Sequence, residues 1–490
     1  MQHSSSENSG HGTRRAAILL LAGMTFLPGC NPSQPAATPG GKPRSGVTLT
    51  VSCPDARLAG VLRPMARSWA ARTGATVELV ETPMAPGDAA DVAILPAPDL
   101  GAWAARGDLA PVPAGLRDVG NPFQWNGILP AYRSEPYAGW GAQLYGLPIA
   151  GDGYVVVYRA DRFGDKTTSD EFRAKLGRPL TPPTTWEDFA DAAAFFAAKD
   201  KAPSLPPLPA DGAKLTDLFF RVAAGFDRAA LREGGKAGEA AKGDPLAFAF
   251  RTTDGAPRLT EPGFVAAAKW LGELKARGAV PPPADADPVA LLKDGKAVMA
   301  VLSFADVARL RPVDARFGVS PLPGTRGYAL PTGAVVPVAS NYVPVFAGGW
   351  LGVVRAKSAN VPVGFELLAD LAGPARSGEV VAAGGYGPTR ASHLDRDRLV
   401  AWLGYGFDAD RSRALQDAAE GFVSSAVRNP AFGLRTPDHA ALTAALAAEL
   451  RRAADGAPPS EALGRAAAAW EAAAPAARER EMRRRAVGLP

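Results

Sequence analysis

Histidine and cysteine are scarce. The 490 residues hold four histidines and two cysteines, too few to staple a fold of this size or to build a clustered metal site. His3 and His11 lie near the start, which leaves His393 and His439. No H-E-x-x-H, G-x-S-x-G, G-x-x-x-x-G-K-[ST] or C-x-x-C occurs, so the short signatures of zinc proteases, serine hydrolases, phosphate-loop proteins and dithiol redox proteins are missing. Carboxylate pairs such as Glu187-Asp188 stand where helix capping explains them. No catalytic residue, metal ligand or cofactor is assigned, and an enzyme is not expected. An excess of one charge is absent too: 54 Lys and Arg face 49 Asp and Glu, a net +5. That balance sets up no general field for nucleic acid. Past residue 30, no run of eighteen apolar residues without a charge is found, so nothing there spans a bilayer as a helix.

What is present is ordinary globular composition, 47% hydrophobic and 21% charged, in a length that allows two to four domain-sized units. Glycine (53) and proline (46) are plentiful and scattered, which implies many turns between short elements. The first thirty residues read as an export signal: Arg14 and Arg15, an apolar run from Ala16 to Phe26, then Leu27-Pro28-Gly29-Cys30. An apolar run this short spans about half the hydrocarbon thickness as a helix, so a permanent anchor is not expected from it. The Leu-x-Gly-Cys ending resembles the lipobox of bacterial lipoproteins, which implies cleavage before Cys30 and lipidation of its sulfur. The alternative is a plain secretory signal. Thr13-Arg14-Arg15 also resembles a twin-arginine signal, so both export routes stay open. Residues 1–29 are then signal peptide. Residues 30–45, rich in Pro, Gly, Ser and Ala, form a tether unable to bury enough surface to order itself.

Strands and helices alternate after the tether. Val47–Val51 reads as a strand ending at Cys53-Pro54-Asp55, Ala56–Thr73 as a helix stopped by Gly74, and Ala75–Val80 and Asp91–Leu95 as further strands. This order predicts a parallel α/β sheet, whose ligand would sit beyond the carboxyl ends of the strands, near Cys53–Asp55 and Pro96–Asp99. Tyr154–Tyr158, Val298–Leu302 and Phe317–Leu322 read as later strands. Pro182-Pro183-Thr184-Thr185 opens a helix capped by Thr185, with Glu187 and Asp188 in its first turn.

Together the pieces "YGLPIA" (145–150), "PPTTWEDF" (182–189), "DGKAVM" (294–299), "FGVSPLPG" (317–324), Gly348-Gly349-Trp350, "GGYGPTR" (384–390) and "GAPPSEAL" (456–463) resemble, in order and spacing, the extracellular solute-binding proteins of bacterial ABC importers. The likeness is to their sugar-binding, maltose-binding-protein-like branch and covers nearly all of the chain beyond the tether. It implies an α/β fold of two lobes of the type II periplasmic-binding-protein kind, closing on a small-molecule ligand, a sugar by analogy. One lobe would comprise 46–150 plus 350–392, the other 151–349 plus 393–490, with Gly348 and Gly349 as hinge. The implied partners are the transmembrane subunits of an ABC permease and, through the lipid on Cys30, the membrane. The protein is expected to be a monomer, outside the cytoplasm, in the periplasm or at the cell surface. A receptor that informs a signalling partner is the rival within binding proteins, and a secreted hydrolase on a similar scaffold the rival among enzymes.

By the same resemblance the ligand-binding candidates are Asp99, Asp152, Ser303, Phe304, Trp350 and Tyr386. Asp99 and Asp152 would accept hydrogen bonds from sugar hydroxyls, Ser303 and Phe304 stand just past a strand, and Trp350 and Tyr386 would offer rings to a pyranose face. Each has a plainer alternative: a turn for Asp152, core packing for Phe304, Trp350 and Tyr386. Arg390 reads as structural. The loop Pro96–Asp99 carries no aromatic residue, which speaks against a long maltodextrin and for a monosaccharide, a polyol or a ligand that is not a sugar. Residues 200–258 match no part of the family pattern, and Arg478–Arg485 reads as a solvated helix face.

Overall fold

The computed structural model describes residues 42–83, 90–230, 244, 246–281, 286–313, 315–423, 431–474 and 477–490; the expected export signal, Cys30 and the expected tether as far as residue 41 lie outside them. The folded part begins earlier than expected. Arg44 donates its backbone N–H to Thr73 O at 2.8 Å and its Nε to Glu366 Oε2 at 2.8 Å, so residues 42–45 belong to the first lobe and not to the tether.

Strand β1 (Thr48–Ser52) leads into helix α1 (Ala56–Thr73), whose first turn is held by the Asp55 side chain accepting from Leu58 N at 2.7 Å. Gly74 ends it in the left-handed conformation, φ +85°, where glycine has no Cβ to strain. Leu58, Leu62, Met65 and Trp69 form one buried stripe, each worth about 1.5–3 kcal/mol of apolar burial. Then follow β2 (Thr76–Val80), β3 (Val92–Pro96), β4 (Gly146–Ala150), β5 (Tyr154–Arg159), α2 (Trp186–Asp200), α3 (Gly212–Asp227), α4 (Pro262–Ala276), β6 (Met299–Ser303), β7 (Phe317–Pro321) and β8 (Trp350–Val354). The chain closes with α5 (Ala409–Val423), α6 (His439–Ala454), α7 (Pro459–Ala473) and α8 (Ala477–Arg485).

One sheet runs β2-β1-β3-β8-β4. The expected parallel pairing holds for β1 with β2 and β3, but β8 is antiparallel to both β3 and β4. Connectivity explains the difference: β4 carries the chain out to the second lobe and β8 brings it back, so the two run in opposite senses. The second lobe holds a three-stranded antiparallel sheet, β6-β5-β7. Val155, Val156 and Val157 of β5 are fully buried. Val156 joins the core under α2, α3 and α4, whereas Val155 and Val157 join a separate core with Trp402, Tyr405 and α5, as the two-residue period of a strand covered on both faces requires.

The later chain does not keep to one lobe. Phe346, Phe422, Phe432 and Ala486, ascribed to the second lobe from sequence, pack into the core of the first. Helix α8 is not a solvated face either. Its Arg483 is 2% exposed and donates to Gly255 O at 2.8 Å and to Trp470 O in the second lobe. Arg485 O, in contrast, accepts from Gly141 N of the first lobe at 2.8 Å. The helix is a strap across both lobes. Among the described residues no helix is long and apolar enough to cross a membrane, and no three His, Cys, Asp or Glu side chains converge as for a metal ion.

Candidate functional site

Helix α3 faces the gap between the lobes. Asp211 caps it, accepting from Ala213 N at 2.7 Å and Lys214 N at 3.1 Å. Leu215, Phe219, Phe220 and Val222 are buried, while Lys214, Asp217 and Arg221, spaced three and four residues apart, share one stripe. That stripe lines a cavity of about 340 Å³ between the lobes. Pro96, Pro98 and Asp99 come to it from the first lobe, Tyr154, Thr216 and His439 from the second, and Gly348 from the crossing segment. Tyr154, Lys214, Asp217 and Arg221 also border a second cavity of about 380 Å³, which extends into the second lobe toward Phe189, Trp270 and the proline-rich run 206–209.

Arg221 is the centre of the charge network. Its side chain is 2% exposed. It donates Nη2 to Asp152 Oδ2 at 2.7 Å, Nε to Asp217 Oδ2 at 2.9 Å and Nη1 to Val345 O at 3.0 Å, and its guanidinium lies 3.8 Å from the Tyr154 ring centroid, a cation–π stack. Two carboxylates thus share one guanidinium, and the excess negative charge faces the cleft through Asp217. The Asp217 Oδ1 atom is buried, and the Tyr154 hydroxyl lies against this carboxylate and interacts with it. Burial pushes the Asp217 carboxyl above the usual range against the pull of Arg221, and Asp152 adds to the push.

The sequence-derived candidates divide. Asp99 is at the interlobe cavity, its Oδ1 3.3 Å from His439 Nε2 across the lobes. Burial pulls the His439 imidazole down, but Asp99 and the Thr436 carbonyl outweigh it and its pKa is raised. Asp152 lines neither cavity: besides Arg221, its carboxylate accepts from Gly153 N at 2.8 Å and Gly348 N at 3.1 Å. These bonds occupy it with fastening one crossing segment to the other. Ser303 borders the second cavity, yet its hydroxyl caps a short helix, donating to Asp306 Oδ2 at 2.8 Å. Phe304 is core, 2% exposed and packed edge-on to Trp402 and Tyr405, because the chain turns into a helix at that point and carries the ring inward. Tyr386 is core as well; its hydroxyl donates to Asp55 Oδ1 at 2.8 Å. Trp350 leans on the first lobe's core and borders neither cavity.

Gly348 and Gly349 lie in the crossing segment. Gly349 has φ +89°, and a Cβ there would come within 2.3 Å of the Tyr137 hydroxyl oxygen. Arg390 is buried against the carbonyls of Ala372, Phe123 and Gln124, a structural position. Sequence reasoning passed over Tyr154, Asp217, Arg221 and His439. The signal available for the helix residues was the 214, 217, 221 spacing within an apolar helical run.

A family model described as bacterial extracellular solute-binding protein matches residues 74–402. Among solved structures, the cyclic α-maltosyl-1,6-maltose binding protein of Arthrobacter globiformis is similar with a TM-score of 0.62 at 16% identity, over 87% of this chain and 98% of that one. The sugar-binding protein MalE of Xanthomonas citri gives 0.63 at 15% identity, over 89% and 97%. An ABC transporter solute-binding protein of Agrobacterium radiobacter in complex with ribitol gives 0.58 at 18% identity, over 87% and 98%. These likenesses establish a shared two-lobed fold. No match is found among curated proteins.

Proposed function

Taking as premise that the chain belongs to the bacterial extracellular solute-binding protein family, we propose that it captures a small carbohydrate between its lobes and hands it to the membrane subunits of an ABC importer. The observation that carries this reading is the interlobe cavity with carboxylate oxygen acceptors of Asp99 and Asp217 around it. A sugar hydroxyl is a donor of the right size and neutrality for such an atom, and bonds to a charged acceptor are about twice as strong as neutral ones. Lys214, Asp99 and His439 offer donors and acceptors around the same space. Relatives of this fold are described as binding cyclic maltosyl-maltose and ribitol, which agrees with a hydroxyl-rich ligand. Capture, not turnover, fits the carboxylates: Asp152 and Asp217 are both held by Arg221, so neither is free to act as the acid or base of a hydrolase.

Differential affinity for the closed lobes drives closure, and the closed form is what the permease reads. Lipidation at Cys30 moors a monomeric receptor to a membrane, outside the cytoplasm. The test is a thermal-shift screen of the purified protein against monosaccharides, disaccharides, polyols, amino acids and polyamines. A ligand at a hundred times its Kd adds about 2.7 kcal/mol of stability. Hits confined to hydroxyl-rich compounds support the reading; hits confined to amino acids or polyamines overturn it.

A further inference from the structure

The second cavity has no part in a ligand that ends at the interlobe space, yet it opens from the same four residues. Beyond Lys214, Asp217 and Arg221 at the junction, its polar groups are already committed. Asp306 accepts from the Ser303 hydroxyl and from Arg309 Nη1 at 3.1 Å, Asp211 caps α3, and Trp270 Nε1 donates to Trp186 O at 2.8 Å. What remains toward the space is apolar: Phe189, Leu208, Leu274, Val301, the Trp270 ring and the prolines of 206–209. Apolar walls with satisfied polar rims take apolar ligand surface. At the junction stands Asp217, which borders both cavities.

We infer that the ligand is a glycoside carrying an apolar aglycone. Its sugar fills the interlobe cavity, a hydroxyl beside the glycosidic bond donates to the Asp217 carboxylate, and the aglycone occupies the proline- and tryptophan-lined cavity of the second lobe. This rests on the carbohydrate reading above and narrows its substrate class. It also assigns a role to the proline-rich run for which the sequence pattern had no place.

Isothermal titration with matched pairs tests it: methyl and hexyl β-glucoside, and methyl and hexyl β-maltoside, below their micellar concentrations. The hexyl member is expected to bind at least about tenfold more tightly than the methyl member of the same sugar. Leu208→Trp, which fills the second cavity from its half-buried wall, should bring that ratio toward one, and Val301→Phe should do the same by a different wall. Equal affinity for methyl and hexyl members in the parent protein refutes the aglycone site and leaves the carbohydrate reading intact. A ratio that persists in both folded variants also refutes it. Hexanol binding as tightly as the hexyl glycosides refutes both readings, as does the absence of binding by every glycoside.

Discussion

Replacing Asp152 with alanine should unfold the hinge before it affects any ligand. The carboxylate is one of the two paired with Arg221, at 2.7 Å, and accepts the Gly348 N–H at 3.1 Å and the Gly153 N–H at 2.8 Å. Arg221 is buried to 2% exposure and keeps Asp217 as its counter-charge, so what is lost is a charge-assisted hydrogen bond and the acceptor of two N–H groups. Losing a hydrogen bond to a charged group costs about 1.5–3 kcal/mol, and leaving the two N–H groups unmet raises the total to about 3–5 kcal/mol. In urea unfolding followed by circular dichroism, with a slope of about 3 kcal/mol/M, the midpoint should fall by about 1–1.7 M. Asp152→Asn, which keeps an oxygen for both N–H groups, should lose less. An Asp152→Ala protein within about 0.5 kcal/mol of the parent, but unable to bind ligand, would refute the assignment and restore Asp152 as a ligand contact.

Three further outcomes follow from other sites. Gly349→Ala should destabilise by more than about 1 kcal/mol in the same unfolding assay, because the residue has φ +89° and its Cβ would collide with the Tyr137 hydroxyl; Gly278→Ala, also at positive φ but in open space, should cost less. The Asp99–His439 contact between the lobes is strongest with the imidazole protonated. Its pKa is raised, so the contact contributes fully below the ordinary histidine value near 6.5 and is lost as pH rises through the raised value. Asp99→Asn should therefore lower the pKa of His439 in an NMR titration. His393 behaves oppositely: burial, aided by Arg390 and Arg398, pulls its pKa down to about 3. Its ring bonds Ser377 Oγ at 2.9 Å and accepts Thr389 N at 3.2 Å. Its contribution is intact above about 6.5 and declines at about 1.4 kcal/mol per pH unit as pH falls from there toward 3, a slope that His393→Gln should remove.

Much of the scaffold was legible because local signals and tertiary placement agree. The apolar stripe of α1 and Gly74 mark a helix by period and stop, and the structure keeps both. Strand direction was less legible: nothing in the residues of Trp350–Val354 states that the chain returns from another lobe, which is what makes that strand antiparallel. Site residues were harder still. Phe304 and Tyr386 follow the rule that a large ring is cheapest when buried, and a one-dimensional pattern does not say toward which core a ring turns after a strand end. Asp152 stands at the crossing for the sake of Arg221, a partner 69 residues away. Asp217 and Arg221 sit in a helix whose apolar residues dominate its appearance, so their shared face emerges only once α3 is set against the opposite lobe.

The most direct measurement is isothermal titration of the strongest sugar from the screen into the parent protein and into Asp217→Asn. One binding site per chain is predicted, in the micromolar range or about −8 kcal/mol. It should weaken at least tenfold in Asp217→Asn, while the circular dichroism spectrum and unfolding midpoint stay close to the parent's. Unchanged affinity in a folded Asp217→Asn protein would contradict capture between the lobes at this carboxylate.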